Sequence, residues 1–216
     1  MHQKKLKADL FGTVSLSSGH PEVIRDTDTA RWWARAVARH LASREARALI
    51  VLNTLTGIPK LRGWNGRQLR REWLGGLPMQ EGRPRDPKYF CQALRLLRKM
   101  HAHKIAHNDL AKEANCLVLE NGLPAFIDFQ LSVHAPCRGF LFRQLAREDL
   151  RHLLKHKAYY CPDHLTAREQ NILANPSVGA RLWTKLYKPV YLWVTRSILG
   201  WPEREGANER VNNDSN

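Results

Sequence analysis

The sequence predicts an α+β protein in which a small antiparallel sheet with one helix precedes a mostly helical remainder. Three observations predict it. Strand-like runs broken by turn residues crowd the part before residue 75, apolar residues recur at helical spacing over 30–53 and 87–103, and two Asn-Gly pairs sit between short apolar runs as hairpin turns.

Taken in order, "LFGTVSLSSGHPEVIRDT" reads as an antiparallel pair, Thr13–Leu16 and Glu22–Arg25, split by Ser-Ser-Gly-His-Pro. Asp28 or Thr29 then stands where a cap is expected for a helix over 30–53, with Trp33, Val37, Leu41, Ala48, Leu49 and Leu52 as its apolar positions. "IPKLRGWNGRQLRREWLGG" gives two short strands around Asn65-Gly66. Residues 87–103 give a helix whose face carries Phe90, Ala93, Leu94, Leu97 and Met100. "NCLVLE" and "LPAFID" flank Asn121-Gly122 as a second hairpin. Residues 140–158 and 178–200 read as helices, and the polar tail 203–216 as disordered. The expected division is a sheet lobe at 1–75, a helical lobe at 76–202, and the tail.

Composition sets the bounds. A chain of 216 residues with 43% apolar content supports one domain, or one domain built as two unequal lobes, and excludes a disordered protein. A formal net charge of +15 favours anionic partners: nucleotides, nucleic acid, phospholipid head groups or acidic glycolipids. The four cysteines, Cys91, Cys116, Cys137 and Cys161, form no Cys-x-x-Cys pair, which argues against a zinc ribbon or disulfide scaffold and suits a reducing cytoplasm. "MHQKKLKADLF" lacks the apolar stretch of a signal peptide. "LWTKLYKPVYLWVTRSILG" is interrupted by Lys185, Lys188, Pro189 and Arg196, and fails the test of about 18 uninterrupted apolar residues for a membrane span. The expected location is cytoplasmic, with peripheral contact at the inner membrane face compatible with the charge. Arg143, Arg147, Arg151 and Lys155 recur every fourth residue and predict a basic ridge on one helix.

The second hairpin carries the chemistry. Folding it brings Asn115, at the start of its first strand, near Asp128, at the end of its second; Asp109 lies six residues before Asn115 in a polar loop. Three oxygen-bearing side chains thus converge where a loop meets the strand ends, a hard-oxygen set that suits magnesium held jointly with phosphate oxygens. Glu45 falls in line with Leu41, Ala48 and Leu52 on the apolar face of the first helix. A carboxylate there is costly without a cation, and Arg25 is the obvious candidate.

"HNDLAKEAN" followed by "IDFQ" resembles the catalytic loop and metal-binding motif of the protein-kinase-like superfamily, whose signature is His-Arg-Asp-Leu-x-x-x-Asn and then Asp-Phe-Gly. His107, Asp109, Leu110, Asn115, Asp128 and Phe129 carry the match. The resemblance implies a bilobal kinase-like fold over about residues 8–160, with ATP and Mg2+ as cofactors. Asp109 would accept the proton of the attacking hydroxyl, Lys112 would reach the transferred phosphate, and Asn115 and Asp128 would hold magnesium. "FGTV" looks like the closing half of a glycine-rich loop, giving Gly12. "VIR" puts Arg25 in the cationic position, paired with Glu45 on the following helix. "REWLGG" resembles the hinge, with Glu72 and Leu74 beside adenine.

The departures are specific. Lys7 and Asp9 replace the first two loop glycines, Arg25 replaces lysine, and Gln130 replaces the glycine after Asp128-Phe129. The Asp109-to-Asn115 loop is one residue longer than the family's, and no Ala-Pro-Glu motif follows. The pattern is similar to compact atypical bacterial members, the RIO-like kinases and the kinases of lipopolysaccharide core sugars. It implies a protein serine or threonine, or a lipid-linked saccharide, as the acceptor; nucleic acid is not an expected partner. Two other classes remain: an impaired pseudokinase scaffold, and a basic membrane- or nucleic-acid-binding module.

Overall fold

The computed structural model describes residues 3–17, 19 and 21–175. The chain divides into two units between residues 173 and 174. The expected helix at 178–200 and the tail at 203–216 lie outside the described residues.

The fold is α+β with antiparallel sheets. Five strands, β1 (Gln3–Asp9), β2 (Gly12–Ser17), β3 (Glu22–Asp26), β4 (Leu61–Trp64) and β5 (Gln68–Glu72), form one sheet in the order β1-β2-β3-β5-β4. The expected pairs β2–β3 and β4–β5 are both present and antiparallel. Strand β1 was not anticipated, because its "QKKLKAD" is too rich in lysine for the hydrophobic alternation by which strands are recognised. It turns into β2 through Leu10-Phe11, with Asp9 opposite Gly12. Gly12 has a backbone reason to be glycine: its φ is +118°, and a Cβ there would lie 2.1 Å from the Asp26 carbonyl oxygen.

Helix α1 (Arg35–Val51) crosses this sheet, with differences from expectation at its start and on its face. It begins after Ala34 with no side-chain cap, because Asp28 and Thr29 are engaged elsewhere. Asp28 pairs with Arg39 at 2.8 Å, and the Thr29 hydroxyl donates to the Asp26 carbonyl and accepts from the Thr13 amide. The buried stripe is alanine: Ala34, Ala38, Ala42 and Ala46 lead into Ala48 and Leu49, whereas Trp33 and Val37 are exposed. Small residues at four-residue spacing let the helix lie close to the sheet, with Ala42 and Ala46 against Leu69.

Strand β6 (Leu77–Pro78) and the short α2 (Met79–Gly82) follow, then α3 (Pro87–Ala102). Asp86 caps α3 through the Lys88 amide at 2.8 Å, Pro87 stands at its first turn, and its expected face, Phe90, Ala93, Leu94, Leu97 and Met100, is buried. Two-residue β7 (Ile105–Ala106) pairs with β10 (Val133–His134), and between them lies the expected hairpin of β8 (Cys116–Val118) and β9 (Pro124–Phe126). Helix α4 (Phe140–Tyr160) packs on α3, and α5 (Ala167–Ala174) ends the described chain. The core joins both parts, since Leu49 of α1 and Leu52 just after it belong to the same cluster as Phe90, Leu97, Phe126, Phe129 and Leu153. Among the described residues, no helix is long and apolar enough to cross a membrane.

The basic ridge on α4 is broken. Arg151 is largely buried and pairs with Glu148 at 3.3 Å, while Arg143, Arg147 and Lys155 are exposed.

Candidate active site

Two loops build the site, and α4 holds the first of them. The buried Asp149 carboxylate of α4 accepts from the backbone N–H of His107 and of Asn108, both at 2.7 Å, and meets His101 Nε2 at 3.1 Å. Seven and eleven residues further along the helix, His156 Nε2 donates to the Leu110 carbonyl at 2.8 Å and the Tyr160 hydroxyl donates to Glu113 at 2.6 Å. Positions 149, 156 and 160 share one helical face, so a single helix holds the backbone at 107, 108 and 110 and the side chain of Glu113.

That loop presents the expected residues together. Asn115 donates through its amide nitrogen to the Asp109 backbone carbonyl at 2.8 Å and to Asp109 Oδ2 at 2.9 Å. Lys112 Nζ stands 3.0 Å from the same carboxylate oxygen. Because the nitrogen of the Asn115 amide faces Asp109, its oxygen is the atom left to a cation.

The second loop, Ile127–Ser132, is tied to the first by two bonds. The Ile127 N–H donates to the Asn115 carbonyl and His107 Nε2 donates to the Ile127 carbonyl, both at 3.0 Å. Asp128 follows at φ +65°, and Asn108 in the first loop at +62°. Asp and Asn tolerate the left-handed region better than most residues, and such conformations collect at functional sites. Asp128 Oδ1 is buried without a hydrogen-bond partner. Phe129 is fully buried, with its ring centroid 4.6 Å from that of His107.

Burial holds the His107 imidazole below its ordinary value of 6.5, so it is neutral and donates from Nε2. The sign of the consequence is fixed. Below about pH 6.5 the unfolded chain takes up a proton that the folded chain refuses, so stability present above that pH is lost as pH falls. Urea midpoints should therefore decline on acidification, by at most about 1.4 kcal/mol per pH unit for this group. His107→Phe should flatten the decline without removing it, because burial also holds His152 low. An unchanged slope contradicts the assignment.

Above these loops the sheet supplies charge. Glu45 is fully buried and faces two cations: Arg71 Nε at 3.1 Å and Arg25 Nε at 3.8 Å. Neither contact has the alignment of a hydrogen bond. Burial pushes the Glu45 carboxyl above the ordinary carboxylate range, with Arg71 and then Arg25 pulling it back and Asp128 adding to the rise. Arg25 thus stands beside Glu45 as the sequence suggests, but Arg71 is nearer. The signal for Arg71 was present in the sequence: on β5 it lies two residues from the buried Leu69, and so on the same sheet face. Arg25 also approaches Asp128 Oδ1, at 4.0 Å.

Gln130 is the other residue that sequence reasoning did not place. One end of its amide lies 2.9, 2.5 and 3.0 Å from Nε, NH1 and NH2 of Arg25. The oxygen belongs there, since the amide nitrogen would set donor against donor. Arg44 of α1 donates to the carbonyls of Leu131 at 3.2 Å and Ser132 at 2.7 Å, fastening the helix that bears Glu45 to the loop that bears Asp128.

Three expected residues have other recorded neighbours. Gly12 stands beside the Leu10-Phe11 turn of the sheet. Glu72 ends β5 and accepts from the Lys60 N–H at 3.1 Å, so its carboxylate serves the β4 edge. Leu74 lines an open hollow of about 500 Å³ with Trp73, Gly75, Gly76, Leu119, Glu120 and Asn121, and none of Arg25, Glu45, Asp109, Asn115 or Asp128 borders it.

The donor set fits magnesium in a particular way. Among the described residues, no group of three or more His, Cys, Asp or Glu side chains is arranged to hold a metal. Magnesium keeps water and phosphate in its shell and needs only one or two carboxylates from protein, which Asp128, with its orphaned oxygen, and the Asn115 amide can supplement. Compared with models of known protein families and with curated proteins, the chain matches none.

Proposed function

We propose that this chain is an ATP-dependent phosphotransferase of reduced kinase-like fold, moving the γ-phosphate of ATP to a hydroxyl of a protein serine or threonine or of a lipopolysaccharide-type sugar. One observation carries the reading: Asp109, Asn115 and Asp128 stand on two loops joined by the His107–Ile127 and Ile127–Asn115 bonds. The order of strands, helix and hairpin around them also supports it.

Asn115 through its amide oxygen and Asp128 through its carboxylate would hold the magnesium, which when bound neutralises phosphate charge. Asp109 accepts the proton of the acceptor hydroxyl as that oxygen bonds to the γ-phosphorus and the bond to the β-phosphate oxygen breaks. Lys112, at 3.0 Å from Asp109, is placed to meet the transferred phosphate, and Arg25 the phosphates behind it. In this reading Gly12 lies over the phosphates, while Glu72 and Leu74 belong to the linker near adenine. The protein supplies position and charge, and phosphoryl transfer asks for little else.

The test is incubation of the purified chain with γ-labelled ATP, magnesium, a cell lysate and an envelope-lipid fraction. Label should reach a protein or a glycolipid. Nucleotide binding without transfer would make the chain a pseudokinase, and absence of both would remove the reading. Asp128→Asn, chosen because asparagine also accepts a positive φ, should abolish magnesium-dependent binding and leave the urea midpoint within about 1 kcal/mol. Retained binding contradicts a metal role.

A second reading, peripheral contact with an anionic bilayer, is favoured by the stretch Arg31–His40. Trp32 is 81% exposed and Trp33 48%, between Arg31 and Arg35, and no acidic residue occurs from 29 to 44. Co-sedimentation should show binding to vesicles containing anionic lipid and none to neutral ones. Trp32→Ala with Trp33→Ala should weaken it by roughly tenfold or more. Equal binding by the variant, or capture of RNA alone, contradicts this reading.

A further inference from the structure

Two arginines attend one buried carboxylate, although one suffices to neutralise it. Val23 and Arg25 of β3 stand opposite Arg71 and Leu69 of β5 respectively, so both arginines belong to the sheet face that carries Leu69 against α1. Their surroundings differ. Arg71 Nε lies 3.1 Å from Glu45 Oε1, on a strand flanked by β3 and β4. Arg25 lies 3.8 Å from Glu45 Oε2 and 4.0 Å from Asp128 Oδ1, both beyond hydrogen-bond range, although its side chain is only 11% exposed. A guanidinium carries five donors in its plane. The group nearest to it is neutral, the Gln130 amide oxygen at 2.5 to 3.0 Å from its three nitrogens. Arg25 is therefore enclosed and oriented, with its planar donors reaching neither carboxylate at bonding distance.

We propose that Arg71 is the fixed partner of Glu45, and that Arg25, steadied by the Gln130 amide oxygen, is the exchangeable cation that turns its donors from the Glu45–Asp128 pair to an incoming phosphate. Gln130 is then a positioning residue acting through Arg25. The exchange also relieves Asp128: while Arg25 stands beside its orphaned oxygen it shields that charge, and its departure toward phosphate leaves the oxygen to a metal ion. The first half stands on the stability of the fold. The phosphate half rests on the phosphotransferase reading above.

The experiment compares Arg71→Met, Arg25→Met, Gln130→Ala and the double variant Arg25→Met with Gln130→Ala. Each is followed by thermal midpoint and by calorimetric titration with Mg-ATP. Arg71→Met should lower the midpoint by about 10 °C, as removal of one partner from a buried ion pair requires. Arg25→Met should lower it by less than half as much, yet raise Kd for Mg-ATP by about tenfold or more. Gln130→Ala should raise Kd while leaving the midpoint in place, and its effect should vanish in the double variant; a merely structural glutamine would not show that dependence. If Arg71→Met does not fold, adding Glu45→Gln should restore folding by removing the orphaned charge, and failure to do so overturns the first half.

Equal midpoint losses for the two arginines overturn the division between them. A Gln130 effect that persists without Arg25 overturns the positioning role. If the unaltered chain binds no Mg-ATP, the phosphotransferase reading and the phosphate half fall together, while the two midpoints still decide which arginine holds Glu45.

Discussion

Asp109→Asn is expected to lower kcat for phosphoryl transfer by roughly 10²–10⁴-fold while the fold stays in place. The change removes a carboxylate that stands against both Asn115 and Lys112, and with it the proposed acceptor of the substrate hydroxyl's proton. Its structural cost is small. The Asn115 amide still donates to the backbone carbonyl of residue 109, and an asparagine oxygen can still accept the second bond. Lys112 is 53% exposed, so the lost ion pair contributes at most about 1 kcal/mol. Mg-ATP binding should persist, because the role proposed for Asp109 is toward the acceptor. An Asp109→Asn chain that turns over normally would remove the proposed base; one that unfolds would make Asp109 a structural residue.

Asp149→Ala is expected to cost roughly 3–5 kcal/mol of stability, a large part of what holds a domain of ordinary stability folded. The Asp149 carboxylate is buried and receives two backbone N–H groups and one imidazole, so its removal strands the donors of His107, Asn108 and His101 together. Asp149→Asn keeps one acceptor oxygen but turns an amide N–H toward donors, and should cost about half as much. Because Asp149 anchors the backbone just ahead of Asp109, the asparagine variant should also lose activity disproportionately; a displacement on the order of 1 Å costs about a hundredfold in rate. Urea unfolding and turnover measured on the same preparations check both effects. A change in stability of under about 1 kcal/mol for Asp149→Ala would contradict the anchoring role.

The parts of the fold legible in the sequence were those written in local chemistry. Asn65-Gly66 and Asn121-Gly122 announce their hairpins because each sets a turn-forming asparagine before a glycine that takes positive φ, +87° at Gly66 and +75° at Gly122, and both hairpins form. Helix α3 is legible because Phe90, Ala93, Leu94, Leu97 and Met100 recur at helical spacing, and that stripe is the face it buries. The packing face of α1 was misjudged by weighing residues by size: Trp33 and Val37 look like core, but the helix approaches the sheet through Ala34, Ala38, Ala42 and Ala46. Strand β1 was missed because pairing with β2 stabilises a lysine-rich segment that has little hydrophobic alternation of its own.

In the site, the sequence placed Asp109, Lys112, Asn115 and Asp128 within two neighbouring loops, and the structure joins those loops through Ile127. It did not disclose Asp149 or Gln130, whose contacts span 42 and 105 residues of chain and follow from no local rule. Arg71 lay between: its face on β5 was readable, but its partner on α1 depends on how closely an alanine stripe allows helix and sheet to approach.

The central claim is that Asn115 and Asp128 hold a magnesium ion against a nucleotide while Asp109 faces the acceptor. Its most direct test is a crystal structure of the chain with magnesium and a non-hydrolysable ATP analogue. The account predicts a metal ligated by the Asn115 amide oxygen and an Asp128 carboxylate oxygen, bridged to phosphate, with the γ-phosphate toward Asp109. Nucleotide bound elsewhere, or bound here with neither Asn115 nor Asp128 on the metal, would contradict it.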